Sequence, residues 1–437
     1  MTLTAPPAPP RKLGLPELIA MGVGGMIGGG IFSVLGLAVG IAGHAAPLAF
    51  GIGALIALAM GYSYVKLALT FRDDGASYTY LTRAFPKTPF AATLGGWTVI
   101  TGYVGTLSLY AFTFGAYGAD LLGHGHDGWA RMVLSALVLL AFLVVNLRGT
   151  GDAGLAEDFI VYTKIALLAF FAIVGSFTIK PHDLFPFFDR GVPSVFMAGA
   201  LVFVAFEGFQ LITNQISEMR DPDHNVPRGI YASILITSAI YIVLAIVGVG
   251  NLGVDKLIAA KEYALAEAAR PVLGEYGVVL VGIAALMATS SAINATVFGA
   301  SRMMAQMALE QRMPKAFAHR NARRAPNMAI YALIACSGLF TLAGGLTVIA
   351  AFSSMTFLLV SIGVSAANLK LHRRSRSKPA LIVLGLLLMG ITVALLVVHL
   401  WLHSRTDLFV IGAIYGFIAS AAALYIWIRN HEHKTGQ

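Results

Sequence analysis

The stretch Gly22-Val23-Gly24-Gly25-Met26-Ile27-Gly28-Gly29-Gly30-Ile31-Phe32 places six glycines among eleven residues inside a long apolar run. Each glycine costs a helix interior about 0.5–1 kcal/mol relative to alanine, so the run Gly28-Gly29-Gly30 makes an unwound stretch cheap. Backbone that is unwound at membrane depth is tolerated only where it is buried in protein or lines a cavity. Two readings follow. The glycines let neighbouring helices approach closely, or their free N–H groups, with the dipole of the half-helix that follows, hold an anion such as a carboxylate.

Working outward, the next departure from plain apolar helix is Val202 to Gln210, VFVAFEGFQ, where Glu207 stands beside Gly208. A charged group near the bilayer centre costs several kcal/mol unless it meets a partner or a cavity. Glu207 is therefore either an ion-paired or protonated, hydrogen-bonded carboxyl, or a group beside a substrate amine. The remaining interior charge is Lys164, six residues past Asp158 and so roughly 9 Å into its helix at about 1.5 Å per residue. It either snorkels back to the interface or is an ammonium held between helices, where desolvation lets it gain and lose a proton.

These features sit in a chain of 437 residues that is 57% hydrophobic and 12% charged, with mean hydropathy +0.78. A soluble domain carries roughly 25% charged residues, so the outer wall of this chain is expected to face lipid. A span needs about 20 mostly apolar residues. Such runs occur at 18–39, 45–65, 90–119, 131–147, 156–179, 193–217, 229–250, 277–301, 327–344, 347–369, 379–402 and 407–428. The run at 90–119 exceeds a straight span and is expected to tilt. Segment 255–271 is too charged to span and reads as an amphipathic helix on the outer face, and 66–89 reads as a connection holding a short interfacial helix.

Twelve spans place both termini on one side. Of the 30 Lys and Arg, 22 fall in the loops on that side, 7 on the other, and Lys164 lies within a span. The excess puts both termini in the cytoplasm of a multi-pass plasma membrane protein. The net charge of +9 is thus a topology signal rather than a nucleic-acid footprint, and no nucleic acid partner is expected. Met1 to Arg11, rich in proline, reads as a disordered tail and not as a cleavable signal. The single cysteine, Cys336, reads as a small buried hydrophobe.

Spans one and six are each the first of a five-helix set if 1–5 and 6–10 form two halves, and because five is odd the halves are inverted. Interrupted segments at matching places in two such halves point to a midplane site, which favours binding over packing. The expected organisation is a tail at 1–14, a first repeat at 15–179, a second at 180–369, two further helices at 370–428 and a tail at 429–437. Paired acids, histidines or a nucleophile within the spans are missing, which argues against an enzyme; His399 and His403 lie at the end of span eleven. No GxxxxGK[ST] loop is present, so ATP does not drive the protein directly. No catalytic residue, metal site or cofactor is expected.

The string Ile27-Gly28-Gly29-Gly30-Ile31-Phe32 resembles the first-helix signature of the amino acid–polyamine–organocation family. Phe206-Glu207-Gly208-Phe209, Glu218-Met219-Arg220-Asp221-Pro222 and Asn225-Val226-Pro227-Arg228 resemble its sixth helix and following loop. Gly75-Ala76-Ser77-Tyr78-Thr79-Tyr80 with Ala84-Phe85, and Ser301-Arg302-Met303-Met304 with Arg312-Met313-Pro314, resemble its second-to-third loop and the end of its eighth helix. The likeness runs from about residue 13 to 370 in family order. It implies an all-α membrane fold of about twelve transmembrane helices, the LeuT-like 5+5 inverted repeat plus two. It implies a secondary transporter of amino acids across the bilayer, resembling prokaryotic proton-coupled, broad-specificity, sodium-independent members, with polyamine or organic cation transport and amino acid exchange as alternatives and a non-transporting receptor as a remoter one.

The resemblance also implies sites. The substrate carboxylate falls to the amides of Gly28, Gly29 and Gly30, and the amine to main-chain carbonyls of Met26, Val204, Ala205 and Glu207. Lys164 takes the place of a sodium ion, with Ser290 and Ser291 near it, and a proton gradient is the driving force. Val204 stands where an aromatic gate is usual, so Phe203 or Phe206 is the expected gate. Glu207 stands where an apolar residue or glycine is usual, which leaves substrate class, oligomeric state and exchange versus symport open. Tyr103 and Tyr110 either pack or face the cavity.

Overall fold

A computed structural model describes residues 13–86, 88–125, 127–148 and 153–435. The expected N-terminal tail lies outside them apart from its last two residues, as do the first residues of the loop at 149–155. Fifteen α-helices follow in order: α1 (Leu15–Met26), α2 (Gly30–Ala42), α3 (Ala46–Phe71), α4 (Ala76–Ala84), α5 (Pro89–Leu121), α6 (Gly128–Arg148), α7 (Ala153–Ser176), α8 (Val192–Val202), α9 (Pro222–Leu252), α10 (Val254–Ala260), α11 (Ala264–Leu309), α12 (Asn327–Ala343), α13 (Leu346–Lys370), α14 (Pro379–His403) and α15 (Arg405–Thr435). Among the described residues the only strand-like pairing is a parallel bridge between Leu13 and Met219.

Among the described residues ten helical segments are long and apolar enough to cross a membrane, and α1 and α12 are shorter apolar helices; together they follow the order of the twelve expected spans. The first is α1 plus α2, interrupted at Ile27–Gly29, and the sixth is α8 continued by tight 3-10 turns over Phe203–Phe206 and Phe209–Glu218. Helix α4 is the short helix expected between the second and third spans. Each uninterrupted apolar run makes one helix because only internal hydrogen bonding satisfies the backbone in lipid.

Packing divides the spans into two groups. In one, α1 packs on α9, α2 on α8, α3 on both α8 and α9, and α1 crosses the turns at 209–218. In the other, α5 packs on α6, α11, α12 and α13. Helix α14 covers α3, α8 and α13, and α15 leans on α5. Large apolar side chains such as Leu137, Phe170, Leu387, Ile391 and Phe417 stand exposed on α6, α7, α14 and α15. In water such a belt would drive aggregation; in a bilayer it is the lipid contact.

Three expectations need correction. Segment 255–271 is not one surface helix. It breaks at Lys261–Tyr263, and its Ala264–Ala269 portion is mostly buried as the start of α11, because alanines are small enough to pack inside. Cys336 is exposed rather than buried: it lies on the outward face of α12, which hydropathy alone cannot tell from the inward one. The twelfth helix does not stop at 428 but continues to Thr435.

Candidate functional site

The two interruptions meet. Helix α1 ends as Ile27 leaves helical geometry at φ −79°, ψ 65°, and Gly28 N–H turns back to Met26 O at 2.9 Å. The first bond of α2 runs from Ser33 N–H to Gly29 O at 3.0 Å. The amides ahead of it have no i−4 acceptor. In the sixth span, Glu207 is extended (φ −70°, ψ 130°) and Gly208 sits at φ 137°. A methyl group on Gly208 would run into the Gly25 carbonyl carbon and Met26 nitrogen. Slightly further along, a methyl group on Gly30 would lie 2.6 Å from Ala205 Cα. The two chains therefore cross backbone to backbone at Gly25–Gly208 and at Gly30–Ala205. Only glycine permits the first contact, through both its size and its positive φ.

A cavity of about 1780 Å³ reaches this crossing. It starts among Arg72, Asp73, Glu310, Arg312 and Arg374, in the loops that carry most of the basic residues, and ends at Gly24, Gly25, Tyr110, Glu207, Gly208 and Ala292. At the other end of the spans, hydrogen bonds tie neighbouring segments together. His44 N–H donates to Asp189 Oδ1 at 3.1 Å, Arg190 Nη1 donates to Gly40 O, and Tyr117 Oη donates to Phe32 O at 2.8 Å.

Glu207 lines the cavity but is only 2% exposed. Its Oε2 accepts from Gln210 Nε2 at 2.7 Å, and Gln210 Oε1 accepts from Gly208 N–H at 3.0 Å. Its Oε1 is buried without a hydrogen-bond partner. Lys164 is fully buried, and its ammonium donates to Gly24 O at 2.8 Å. The side chain is thus buried between α7 and α1 rather than turned out to an interface. Ser291 is on the cavity wall and Ser290 is half-buried, both on α11, which packs against α7, the helix of Lys164.

The other candidate residues stand behind the wall. Gly28 and Gly29 lie under the ring of Tyr110: a methyl group on either would come 2.9 or 2.8 Å from it. Phe203, Val204, Ala205 and Phe206 are buried, and the Phe206 ring packs 5.4 Å from that of Tyr241. The carbonyls of Met26 and Ala205 both face the hydroxyl of Tyr241 on α9, at 2.7 and 3.0 Å. Tyr103 and Tyr110 are on the cavity wall.

A strap crosses the cavity mouth. Arg72 Nη2 bonds both oxygens of Asp223 at 2.9 and 2.8 Å. Asp74 accepts from Ser217 N–H at 3.0 Å and from its hydroxyl. On the far side Tyr78 Oη donates to Glu310 Oε2 at 2.5 Å. Burial and that carboxylate push the Tyr78 phenol well above its ordinary pKa, so it stays a donor.

With this geometry in view, comparison with known proteins is direct. A family profile described as amino acid permease matches residues 13–427. The chain belongs to the amino acid permease family. An uncharacterized protein of Methanocaldococcus jannaschii is 30% identical over 95% of this chain and 94% of its own length. The inner membrane transport protein YbaT of Escherichia coli is 28% identical over 92% of this chain and 94% of its own. The branched-chain amino acid permease BcaP of Lactococcus lactis is 27% identical over 80% and 78%. This permease is thus a multi-pass membrane transporter rather than an enzyme.

Sequence reasoning located the breaks of the permease and its two interior charges. It missed Tyr241, whose one signal is a polar-tipped ring within an apolar helix, since a buried tyrosine hydroxyl needs a partner. It also missed that the strap residues Arg72, Asp74 and Tyr78 find partners 143 to 232 residues away.

Proposed function

We propose that this permease is a sodium-independent, proton-coupled secondary transporter that carries amino acids across the plasma membrane by alternating access, with both termini in the cytoplasm. One observation carries the reading: two interrupted helices cross backbone to backbone at the inner end of a deep cavity, beside a buried ammonium. The zwitterion would place its carboxylate on the amides of Gly28, Gly29 and Gly30, and its ammonium on the carbonyls of Met26, Val204, Ala205 and Glu207. Tyr110 would swing from its position over Gly28 and Gly29 to admit it, while Phe203 and Phe206 would back the pocket rather than gate its mouth. Helices α1, α2, α3, α8 and α9 would rock against α5, α6, α11 and α12 to carry access from one face to the other, with the repeats bounded at 15–179 and 180–369 as the mechanical halves.

Lys164 would couple the cycle to protons. Charged, it holds Gly24 O and so the end of α1; neutral, it holds it more weakly, because charge-assisted hydrogen bonds are the stronger ones. Ser290 and Ser291 would be second partners for it. The test is uptake of labelled alanine into proteoliposomes with and without an inward proton gradient, comparing wild type with Lys164→Ala. Gradient-stimulated uptake in the wild type and its loss in the variant support the reading. Sodium dependence, or an unchanged response in the variant, overturns it.

A second reading keeps the fold and changes the cargo to a polyamine or other organic cation. It is favoured by Glu207, whose Oε1 lacks a partner at the end of the cavity. Competition of alanine uptake by arginine and putrescine separates the two.

A further inference from the structure

The hydroxyl of Tyr241 lies where the two interrupted helices each leave a carbonyl without its i+4 donor, although Met26 O keeps the tight-turn bond from Gly28 N–H at 2.9 Å. Met26 O closes α1, and Ala205 O belongs to the last turn before Glu207–Gly208. Helix-terminal carbonyls lose their i+4 donors and must find others. Here the donor comes from a third helix: Tyr241 Oη stands 2.7 Å from Met26 O and 3.0 Å from Ala205 O, with no exposed surface. The ring is fixed edge-on by Phe206 at 5.4 Å and Phe50 at 5.8 Å. Thus one hydroxyl proton of the chain is shared between the two carbonyls.

We infer that Tyr241 is an internal stand-in for the ammonium of the cargo, and that it decides whether this permease can perform net transport or only exchange. The inference rests on the amino acid reading above, in which these carbonyls receive that ammonium. A phenol brings one proton and an ammonium three. With cargo present, the ammonium serves both carbonyls and the phenol retreats to one. Without cargo, a carrier returning across the membrane must pass through a closed form in which both carbonyls are out of water; without Tyr241, Met26 O would keep its bond from Gly28 N–H but Ala205 O would lose its donor, and a buried acceptor left without a donor is expensive. Tyr241 supplies the donor for that return. A carrier lacking it returns only when loaded, which makes it a one-for-one exchanger. Tyr241 is a positioning residue in this scheme, acting through Met26 and Ala205.

The test separates the two modes in the same proteoliposomes. Exchange is read as labelled alanine entering vesicles preloaded with unlabelled alanine, and net uptake as labelled alanine entering empty vesicles under a proton gradient. Tyr241→Phe is expected to keep exchange within about twofold of wild type and to lose net uptake at least tenfold. Equal loss of both modes, or loss of neither, overturns the inference. A wild type that carries alanine in neither mode instead sinks the amino acid reading on which it rests. A second measurement needs no flux: alanine should raise the thermal midpoint of Tyr241→Phe more than that of wild type, and equal increments overturn the inference. If the variant folds only when alanine is present, that is the same support in its strongest form; failure to fold with alanine also present counts against it.

Discussion

At the first interruption the carbonyl oxygens are held from afar: Gly24 O by Lys164 on α7, and Met26 O by Tyr241 on α9. At the second, Gln210 caps both Gly208 N–H and the Glu207 carboxylate within three residues, while Ala205 O shares the Tyr241 hydroxyl with Met26 O. The difference separates what each break can do. The first is tied to side chains on two other helices, α7 and α9, so a substitution on either reaches the break. The second is capped largely by its own residues at 207–210 and shares the Tyr241 hydroxyl with the first. The first break therefore depends more on distant helices than the second does.

The strongest way to break this comparison is at the point where the two meet. Gly208→Ala puts a methyl group into the Gly25–Met26 backbone at a φ of 137°. The strain and overlap together should cost at least ~3 kcal/mol and leave little folded carrier by size-exclusion chromatography. Gly40→Ala, where an added methyl group meets nothing within 4 Å, should be recovered normally. Folded, active Gly208→Ala would mean that the backbones need not touch.

Next in size is Lys164→Ala. It strips a buried carbonyl of its donor, a loss of about 1–3 kcal/mol, and should lower uptake about tenfold or more as well as flatten its pH profile. A local change of equal size at the second break would blur the distinction. Glu207→Gln sharpens it instead. The amide can still accept from Gln210 Nε2, so alanine uptake should stay within about threefold, while competition by arginine should weaken by about tenfold once the attraction of the carboxylate is gone. That ratio is read from competition curves, and an unchanged arginine curve would remove Glu207 from any contact with cationic cargo. Smallest is Gln210→Ala. It removes caps of about 1 kcal/mol and should lower the thermal midpoint by about 2 °C with transport nearly intact.

The same local-versus-remote division explains what could be read in advance. Hydropathy alone gave the twelve helices, because in lipid each must satisfy its own backbone. Gly28–Gly30 and Glu207–Gly208 marked the breaks, because helix failure is written in the residues that fail. The role of Gly25 was hidden, since it depends on which backbone arrives opposite. Tyr241 was hidden for the same reason, as its partners are 215 and 36 residues away. Glycine packing and helix interruption also proved compatible: Gly22, Gly24 and Gly25 face Ser233, Val161 and Gly208, while the chain unwinds only three residues later. Cys336 and segment 255–271 misled because an apolar or charged run does not say which of its faces is turned inward.

The strap of Arg72, Asp74 and Tyr78 has a mechanical consequence. It is anchored to Asp223 and Ser217 on one rim of the mouth and to Glu310 on the other, with only Gly75 to Ser77, the start of the helix Ala76–Ala84, between Asp74 and Tyr78. While those contacts hold, so short a link would limit how far the two rims could part, by chain geometry rather than by the size of the cargo.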